Sequence, residues 1–225
     1  MDPLTNPVYY ALAGAHNGIA EVKGRALRYP AQIAPFLALP DDPAPQDWND
    51  AAELLGIGHT GALMRHELPL PENFKLVQQF DLVQFVAPES FGAEDPAAVV
   101  LGADDVPEML ALTELTEPGP FRAGTVTFGG YLGLREEGKL IAMAGRRFSP
   151  PGYIEISAVC TDPAYRGKGL ATRLIRAVAA GIEQTGARPF LHTGGTNTNA
   201  IRLYERLGFT VTNRMKVTIV EPVAG

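Results

Sequence analysis

The chain has one cysteine, no long apolar run and fewer basic than acidic residues, and each shortage excludes a class of protein. A single Cys cannot form an internal disulfide, which excludes a disulfide-stapled scaffold and favours a reducing compartment. No segment is apolar over the ~20 residues that a membrane span needs, so we expect no membrane partner. With 19 Lys and Arg against 25 Asp and Glu, the net charge is −6, which argues against a nucleic-acid partner.

Histidines and targeting signals are equally sparse. His16, His59 and His66 lack the spacing of metal ligands, so we expect no metal. His192 stands on a predicted strand, where a core or pocket-wall role is expected. The N-terminal residues have no basic region followed by an apolar run, so we expect no signal peptide and a cytoplasmic protein.

The most informative stretch is the glycine-containing loop after a predicted strand over residues 153–161. The strand ends where Pro163 removes a backbone donor, and a helix is predicted to begin near Gly169. The two glycines between Arg166 and Gly169 allow a sharp turn, and the loop carries two cations. Unpaired N–H groups and the macrodipole at a helix start favour anions, so the loop suits a diphosphate.

Three phosphate-loop patterns compete for this stretch. A Walker loop requires Ser or Thr after its Lys, but Gly169 follows Lys168. The dinucleotide fingerprint requires Gly or Ala where Thr172 stands, which disfavours an NAD(P)-dependent oxidoreductase. The pattern R/Q-x-x-G-x-G/A is filled by Arg166, Gly169 and Ala171. The alternative is an ordinary strand-to-helix turn with solvated charges.

A second pattern follows after one predicted helix and one predicted strand. It reads Asn197-x-x-Ala200-x-x-x-Tyr204-x-x-x-Gly208-Phe209. In this order and spacing, the two patterns resemble the GNAT superfamily of acyl-CoA-dependent N-acyltransferases, over residues 103–220. The sequence of residues 155–163 and 189–192 is most similar to the glycine-N-acyltransferase-like branch.

The resemblance implies a mixed α/β fold, with a twisted mixed sheet and helices on both faces. Its parallel strands 153–161 and 188–193 are expected to splay and admit a pantetheine arm. We expect a catalytic domain over 103–225 and an N-terminal lobe over 1–102, with a linker near 88–95. The lobe is either a degenerate GNAT-like half that shapes the acceptor pocket or an unrelated α+β extension.

Local patterns predict the remaining elements. Apolar periodicity, caps and turn residues indicate helices over 6–13, 47–54 and 106–116, strands over 61–68 and 74–86, and a hairpin over 131–147. Asp47 is the expected cap of the second helix and Trp48 an expected core anchor. Alternation of Leu76, Phe80 and Leu82 predicts one buried face for strand 74–86.

The resemblance also implies a ligand, acetyl-CoA or another short acyl-CoA, and the residues that would hold it. The diphosphate would be bound by backbone N–H groups of the loop, comprising Arg166, Gly167, Lys168, Gly169, Leu170 and Ala171. The pantetheine would be bound by main-chain groups of Val159, Cys160 and Thr161, with help from Asn197.

Two residues are predicted to carry the chemistry. Glu155 is the candidate base, because an amine with a pKa near ~10 must lose a proton; the alternative is a Glu that faces solvent or an Arg. Strand periodicity places it on one face with Ser157, Val159 and Thr161, and Cys160 on the other. The resemblance also implies that Tyr204 is the candidate acid for the leaving thiolate; the alternative is a packed ring whose hydroxyl bonds to backbone.

The activity that the resemblance implies is acyl transfer from acyl-CoA to a primary amine of a small molecule or amino acid, by direct attack in a ternary complex. The rival is a non-catalytic acyl-CoA-binding sensor, which needs neither Glu155 nor Tyr204. We expect Cys160 to be an inert core thiol and Arg146-Arg147 to be solvated strand charges. The sequence does not specify the acceptor, the acyl length or the oligomeric state.

Overall fold

Residues 2–66 and 68–223, which the computed structural model describes, form five α-helices and eleven strands. The helices are α1 (Pro7–Ala13), α2 (Pro45–Leu55), α3 (Val106–Thr116), α4 (Leu170–Glu183) and α5 (Thr198–Arg206). The strands are β1 (Glu21–Lys23), β2 (Ala26–Arg28), β3 (Leu37–Ala38), β4 (Gly61–Arg65), β5 (Phe74–Val86), β6 (Val99–Val100), β7 (Leu132–Glu136), β8 (Lys139–Arg146), β9 (Tyr153–Thr161), β10 (Arg188–Gly194) and β11 (Thr210–Pro222).

Strands β4 to β11 form one mixed sheet in the order β4-β11-β5-β10-β9-β8-β7-β6, and β1 to β3 form a small second sheet. Strands β9 and β10 pair in parallel, and the other described pairs in the large sheet are antiparallel. Alternate side chains of β8 pack into two different hydrophobic cores, one on each face of the sheet. Ala142 and Ala144 pack beneath α4, while Met143 packs with α3. The predicted mixed sheet with helices on both faces is therefore confirmed.

The N-terminal half contributes a central part of this sheet. Strand β5 lies between β10 and β11, and it pairs with β11 along its whole length, from Phe74 to Val86. The sheet thus crosses residue 102, where the sequence suggested a domain boundary. The division there, and the origin of the N-terminal half, remain predictions.

The segment predicted as a linker is fixed on α4. The N–H groups of Phe91 and Gly92 both donate to the Glu183 carboxylate, and the Phe91 side chain is buried. A Cβ on Gly92 would lie 2.4 Å from backbone atoms of Ala180, so only glycine allows this close approach. Asp95 continues the attachment through an ion pair with Arg173. The segment is therefore packed structure.

Most predicted elements form, and three details differ. The strand predicted over 61–68 ends at Arg65, and position 67 lies outside the described residues. Helix α2 begins at Pro45 after Ala44; Asp47 is its third residue, and its carboxylate accepts the Ala44 N–H at 2.7 Å. Asp47 still satisfies a helix-start donor, from inside the helix. The alternation predicted for β5 is wrong, because its first half lies beyond the core and leaves Leu76 and Phe80 exposed.

A bulge in β9 changes which side chains share a face. Met143 pairs with Cys160 and Gly145 with Ser157, so two residues of β9 oppose one of β8. Ala158 adopts φ +53° there. Beyond the bulge Val159 packs on the α4 side with Ile156, while Ala158 and Cys160 face α3. Strict alternation was therefore wrong: Cys160 lies on the Glu155 face, and Val159 does not.

We expect Ala158→Gly to leave the free energy of unfolding unchanged or to raise it. Glycine relieves a left-handed conformation that costs an alanine about 1 kcal/mol, which offsets the loss of one buried methyl group. The matched control is Ala142→Gly in regular, buried β8, which should destabilise by about 1 kcal/mol. Urea unfolding of both variants measures the difference, and equal losses would contradict the bulge.

Candidate functional site

The parallel strands β9 and β10 separate after three residue pairs, as the resemblance implied. Pairing ends at Phe190 with Glu155, and no ladder joins the described residues beyond that point. A cavity of about 600 Å³ lies at this separation. Its walls come from β9 and β10, from α5, from the loop after α3 and from the N-terminal half. Residues from both separated strands line it, namely Ile156, Ser157, Ala158, Val159, His192, Thr193 and Gly194.

The predicted diphosphate loop has the backbone form that an anion requires. Gly167 and Gly169 have φ values of +78° and +75°, and a Cβ at either would meet no heavy atom within 4 Å. Arg173 donates the first helical bond, to the Gly169 carbonyl, so the N–H groups of Leu170 to Thr172 have no partner within α4. An open turn at a helix start with free donors fits a diphosphate.

The end of β9 joins this loop to the cavity. Val159 lines the cavity, and Cys160 and Thr161 follow it toward the loop. The Thr161 hydroxyl is buried and makes no hydrogen bond with a described residue. Burial raises the pKa of the Cys160 thiol to about 11, so the thiol is a poor nucleophile near neutral pH. The strand end and the loop together fit an extended pantetheine arm and its diphosphate.

Helix α5 presents the second motif to the cavity. Asn197, Ala200 and Tyr204 lie three and four residues apart, and all three line the wall. Asn197 caps the helix by accepting the Ala200 N–H at 3.1 Å. The cap is present whether or not this side chain also contacts a ligand.

Tyr204 packs its ring and leaves its hydroxyl available. The ring lies 5.6 Å from Phe85 and 5.9 Å from Phe209, centroid to centroid. The hydroxyl makes no hydrogen bond with the part of the chain that the structure describes. Burial raises the pKa of Tyr204 to about 12, so the phenol stays protonated near neutral pH. Such a hydroxyl can donate a proton to an anion that forms in the cavity.

Glu155 lies behind the cavity wall and is fully buried. Arg147 donates to both carboxylate oxygens, at 2.7 and 2.6 Å. Burial would raise the pKa of Glu155, but the charge and hydrogen bonds of Arg147, with a contribution from His192, lower it to about 2. Arg147 is thus a buried partner, and its prediction as a solvated charge was wrong. The base role of Glu155 stays a prediction, with unfavourable geometry for direct proton transfer.

His192 connects this ion pair to the cavity. Its Nδ1 lies 2.6 Å from a Glu155 oxygen, and its Nε2 lies 3.0 Å from the Gln84 side-chain nitrogen. The same Gln84 nitrogen donates to the Leu4 carbonyl, and the Gln84 oxygen accepts from Thr212 and Asn213. Gln84 is therefore a donor toward Nε2, which leaves Nδ1 as the ring nitrogen that donates to Glu155. Both ring nitrogens are occupied, as expected for a pocket-wall histidine.

Sequence reasoning missed two walls of the cavity, which come from the N-terminal half and from the loop after α3. The N-terminal half supplies apolar residues there, namely Pro35, Phe36, Ala62, Met64, Phe80 and Leu82. The loop after α3 adds Glu117 to Pro120 and Arg122. This loop was interpreted only as a helix breaker, because proline and glycine dominate it. No motif marks the N-terminal residues, which reach the cavity only because β5 pairs between β10 and β11.

Two searches of residues 2–66 and 68–223 gave negative results. None of the helices has both the length and the apolar character to cross a membrane. No group of three or more His, Cys, Asp or Glu side chains in those ranges could hold a metal ion.

Comparisons with known proteins agree with this geometry. Residues 131–217 match the model of a family described as FR47-like protein. The N-alpha-acetyltransferase RimI of Mycobacterium tuberculosis is 31% identical over 120 residues, which cover 52% of this chain and 69% of the relative. A crystal structure from Novosphingobium aromaticivorans, assigned to the GNAT family of acetyltransferases, is 38% identical, with a TM-score of 0.91 and complete coverage of both chains. A GCN5-related N-acetyltransferase from Kribbella flavida shares the fold, with a TM-score of 0.63, 19% identity and 96% coverage of each chain.

A parallel strand pair that separates at a cavity, followed by an open glycine loop at a helix start, is the arrangement expected of an acyl-CoA-dependent transferase. With the relatives above, it shows that the chain belongs to the GNAT family of acetyltransferases. The protein is an N-acetyltransferase whose co-substrate is acetyl-CoA.

Proposed function

We propose that the protein transfers the acetyl group of acetyl-CoA to the primary amine of a small molecule, amino acids included. The observation that carries the proposal is the cavity that lies where β9 and β10 separate. Its volume of about 600 Å³ is in the range of small-molecule sites, and it must also admit the end of the pantetheine arm. The remaining space suits a small acceptor.

The acceptor walls are largely apolar. Phe36, Met64 and Phe80 come from the N-terminal half, and Val217 and Ile219 come from β11. An acceptor with an apolar body would bury surface there, at roughly 25 cal/mol per Å². The relationship to RimI, named an N-alpha-acetyltransferase, makes the α-amino group of a peptide the second candidate acceptor. The resemblance to the glycine-N-acyltransferase-like branch remains a prediction.

The reaction forms one bond and breaks one. The amine first loses one proton to solvent, and the neutral nitrogen then attacks the thioester carbonyl. The carbon–sulfur bond breaks, and the thiolate takes a proton from Tyr204. The second proton that the nitrogen loses restores the Tyr204 phenol through water. In this proposal Glu155 is a positioning residue that holds His192 and the cavity wall. The loop of residues 166–171 holds the diphosphate, and the backbone conformation of the loop fixes the position of the thioester relative to Tyr204.

We expect Gly169→Ala to weaken acetyl-CoA binding about tenfold or more. The new Cβ would enter the open side of the turn, where a phosphate would approach, and alanine disfavours φ +75°. Gly186→Ala is the matched control: φ is +80°, the added Cβ meets nothing, and the site is beyond the other end of α4. Calorimetric titration of both variants checks this; equal affinities would refute the loop assignment.

The proposed function is tested by calorimetric titration with acetyl-CoA, followed by thiol release with a panel of amines, amino acids and an N-terminal peptide. Binding with release that depends on a small amine supports the proposal. Release with the peptide alone would transfer the assignment to a protein N-terminus. Binding without release for any acceptor would favour the acyl-CoA sensor.

A further inference from the structure

Glu117 is the only acidic residue among the described residues that line the cavity. Glu155 lies behind the wall, where Arg147 and His192 occupy its carboxylate. The cations on the wall are already engaged, since Arg122 donates to the Ala31 carbonyl and Arg147 pairs with Glu155. Glu117 is thus the one negative charge that these walls offer to a ligand.

The conformation of Glu117 is unfavourable for a glutamate. It ends α3 in the left-handed region, with φ +47° and ψ +53°, and its N–H closes the helix on the Thr113 carbonyl. Glycine is the preferred residue at such an end. Pro118 follows, and a residue before proline is further disfavoured in helical conformations. Local backbone preference therefore does not explain a glutamate here.

The Glu117 carboxylate also has no partner among the described residues. Three other acidic side chains near α3 are paired: Asp105 and Glu108 with Arg135, and Asp162 with Lys139. Glu117 is exposed at the cavity and makes no such contact with a described residue. A free carboxylate beside apolar walls is a site for a cation that carries an apolar body.

We propose that Glu117 selects the acceptor by binding the ammonium form of a primary amine at the cavity mouth. This inference rests on the proposed function. At neutral pH an amine with a pKa near ~10 is almost entirely cationic, so the form that arrives from solvent carries the charge that Glu117 attracts. An α-amino acid brings a carboxylate of its own, which Glu117 repels. Among the acceptors proposed above, an apolar monoamine is therefore preferred over an amino acid.

The test compares Glu117→Gln with wild type on 2-phenylethylamine and L-phenylalanine, which share one apolar body. We expect wild type to favour 2-phenylethylamine. Glu117→Gln should raise its KM for that amine about fivefold, because an exposed charged partner is lost, while KM for acetyl-CoA stays within twofold. The wild-type KM should rise with added salt, and the variant's should not. Loss of packing alone would not change the salt dependence.

The matched control is Glu137→Gln, which changes another exposed glutamate in the left-handed region, at φ +50° in the β7–β8 turn and off the cavity wall. It should leave both acceptors unaffected. An unchanged KM and salt dependence in Glu117→Gln, or wild-type preference for L-phenylalanine, would overturn this inference and leave the acetyltransferase proposal intact. Absence of thiol release with every amine would overturn the proposed function itself.

Discussion

Replacing Tyr204 with phenylalanine is expected to lower kcat about 100-fold or more, with little change in acetyl-CoA affinity. Tyr204 lies on the cavity wall, and its hydroxyl has no hydrogen bond with a described residue and is protonated because its pKa is about 12. A thiolate that leaves without this donor must take its proton from water. The ring contacts with Phe85 and Phe209 are retained in the variant, so its stability should be close to that of wild type.

The matched control is Tyr153→Phe. Tyr153 lies at the start of β9, packs against Phe190 and does not line the cavity. Pre-steady-state thiol release and calorimetric titration separate turnover from binding for both variants. A fall in acetyl-CoA affinity that parallels the fall in kcat would remove Tyr204 from the role of acid, because it would then contribute to ground-state binding.

Features with local sequence causes could be predicted. Strand β9, the turn at Pro163 and the start of helix α4 follow from a proline and two glycines, and the predicted strand bounds and helix start agree with the structure to within a residue. Asn197 as a helix cap follows from the same kind of local rule. Each of these signals lies within a few residues of the element that it determines.

Features that depend on distant segments could not be predicted. Strand β5 enters the sheet beside strands more than 100 residues later, and local periodicity does not encode that pairing. Beyond its bulge, the side chains of β9 lie on the opposite face from the one that strict alternation predicts. No residue marks the bulge in the sequence, since Ala158 occupies a position where glycine would be usual. The burial of Arg147 also depends on a distant segment, because its guanidinium lies over the ring of Phe36 in the N-terminal half.

The insertion of β5 also explains why the N-terminal half matters to the site. Gln84 on β5 donates to His192 and to the Leu4 carbonyl, which joins the N-terminal segment to the cavity wall. Its oxygen accepts from Thr212 and Asn213 on β11. The hydrogen bonds of one buried glutamine therefore couple three parts of the chain, and they hold the His192 ring with Nδ1 toward Glu155. The N-terminal half shapes the site through these bonds as well as through its apolar walls.

Glu155→Gln is expected to lower the free energy of unfolding by about 3–5 kcal/mol. The substitution leaves the Arg147 guanidinium, whose side chain is 11% exposed, without its counter-charge. For a chain of this length the melting temperature should fall by about 10 °C. The matched control, Glu221→Gln, removes one partner of an exposed pair with Lys75 and should cost less than about 1 kcal/mol. Equal losses would contradict the buried pair.

A double substitution separates the charge from the chemistry. Arg147→Met combined with Glu155→Gln removes both members of the pair and should be less destabilised than the sum of the single variants, by about 1–3 kcal/mol. If Glu155 is the base, acetyl transfer stays low in the double variant. If Glu155 only positions His192, part of the activity should return with stability. Strict additivity of the two single effects would show that the charges do not interact.

The pH dependence of stability gives the sign of the Glu155 contribution independently of any substitution at Arg147. The folded pKa of about 2 lies below the ordinary value of 4.5, so the unfolded chain binds this proton more readily. The stabilisation is therefore fully present above about pH 4.5 and is lost as the pH falls toward about 2.

Other carboxylates titrate in the same range, but they are common to wild type and Glu155→Gln. The difference in unfolding free energy between the two should narrow across this window, by about 3 kcal/mol. A difference that is independent of pH would show that the carboxylate is not ionised in the folded protein, and the Arg147–Glu155 pair would then not explain the buried guanidinium.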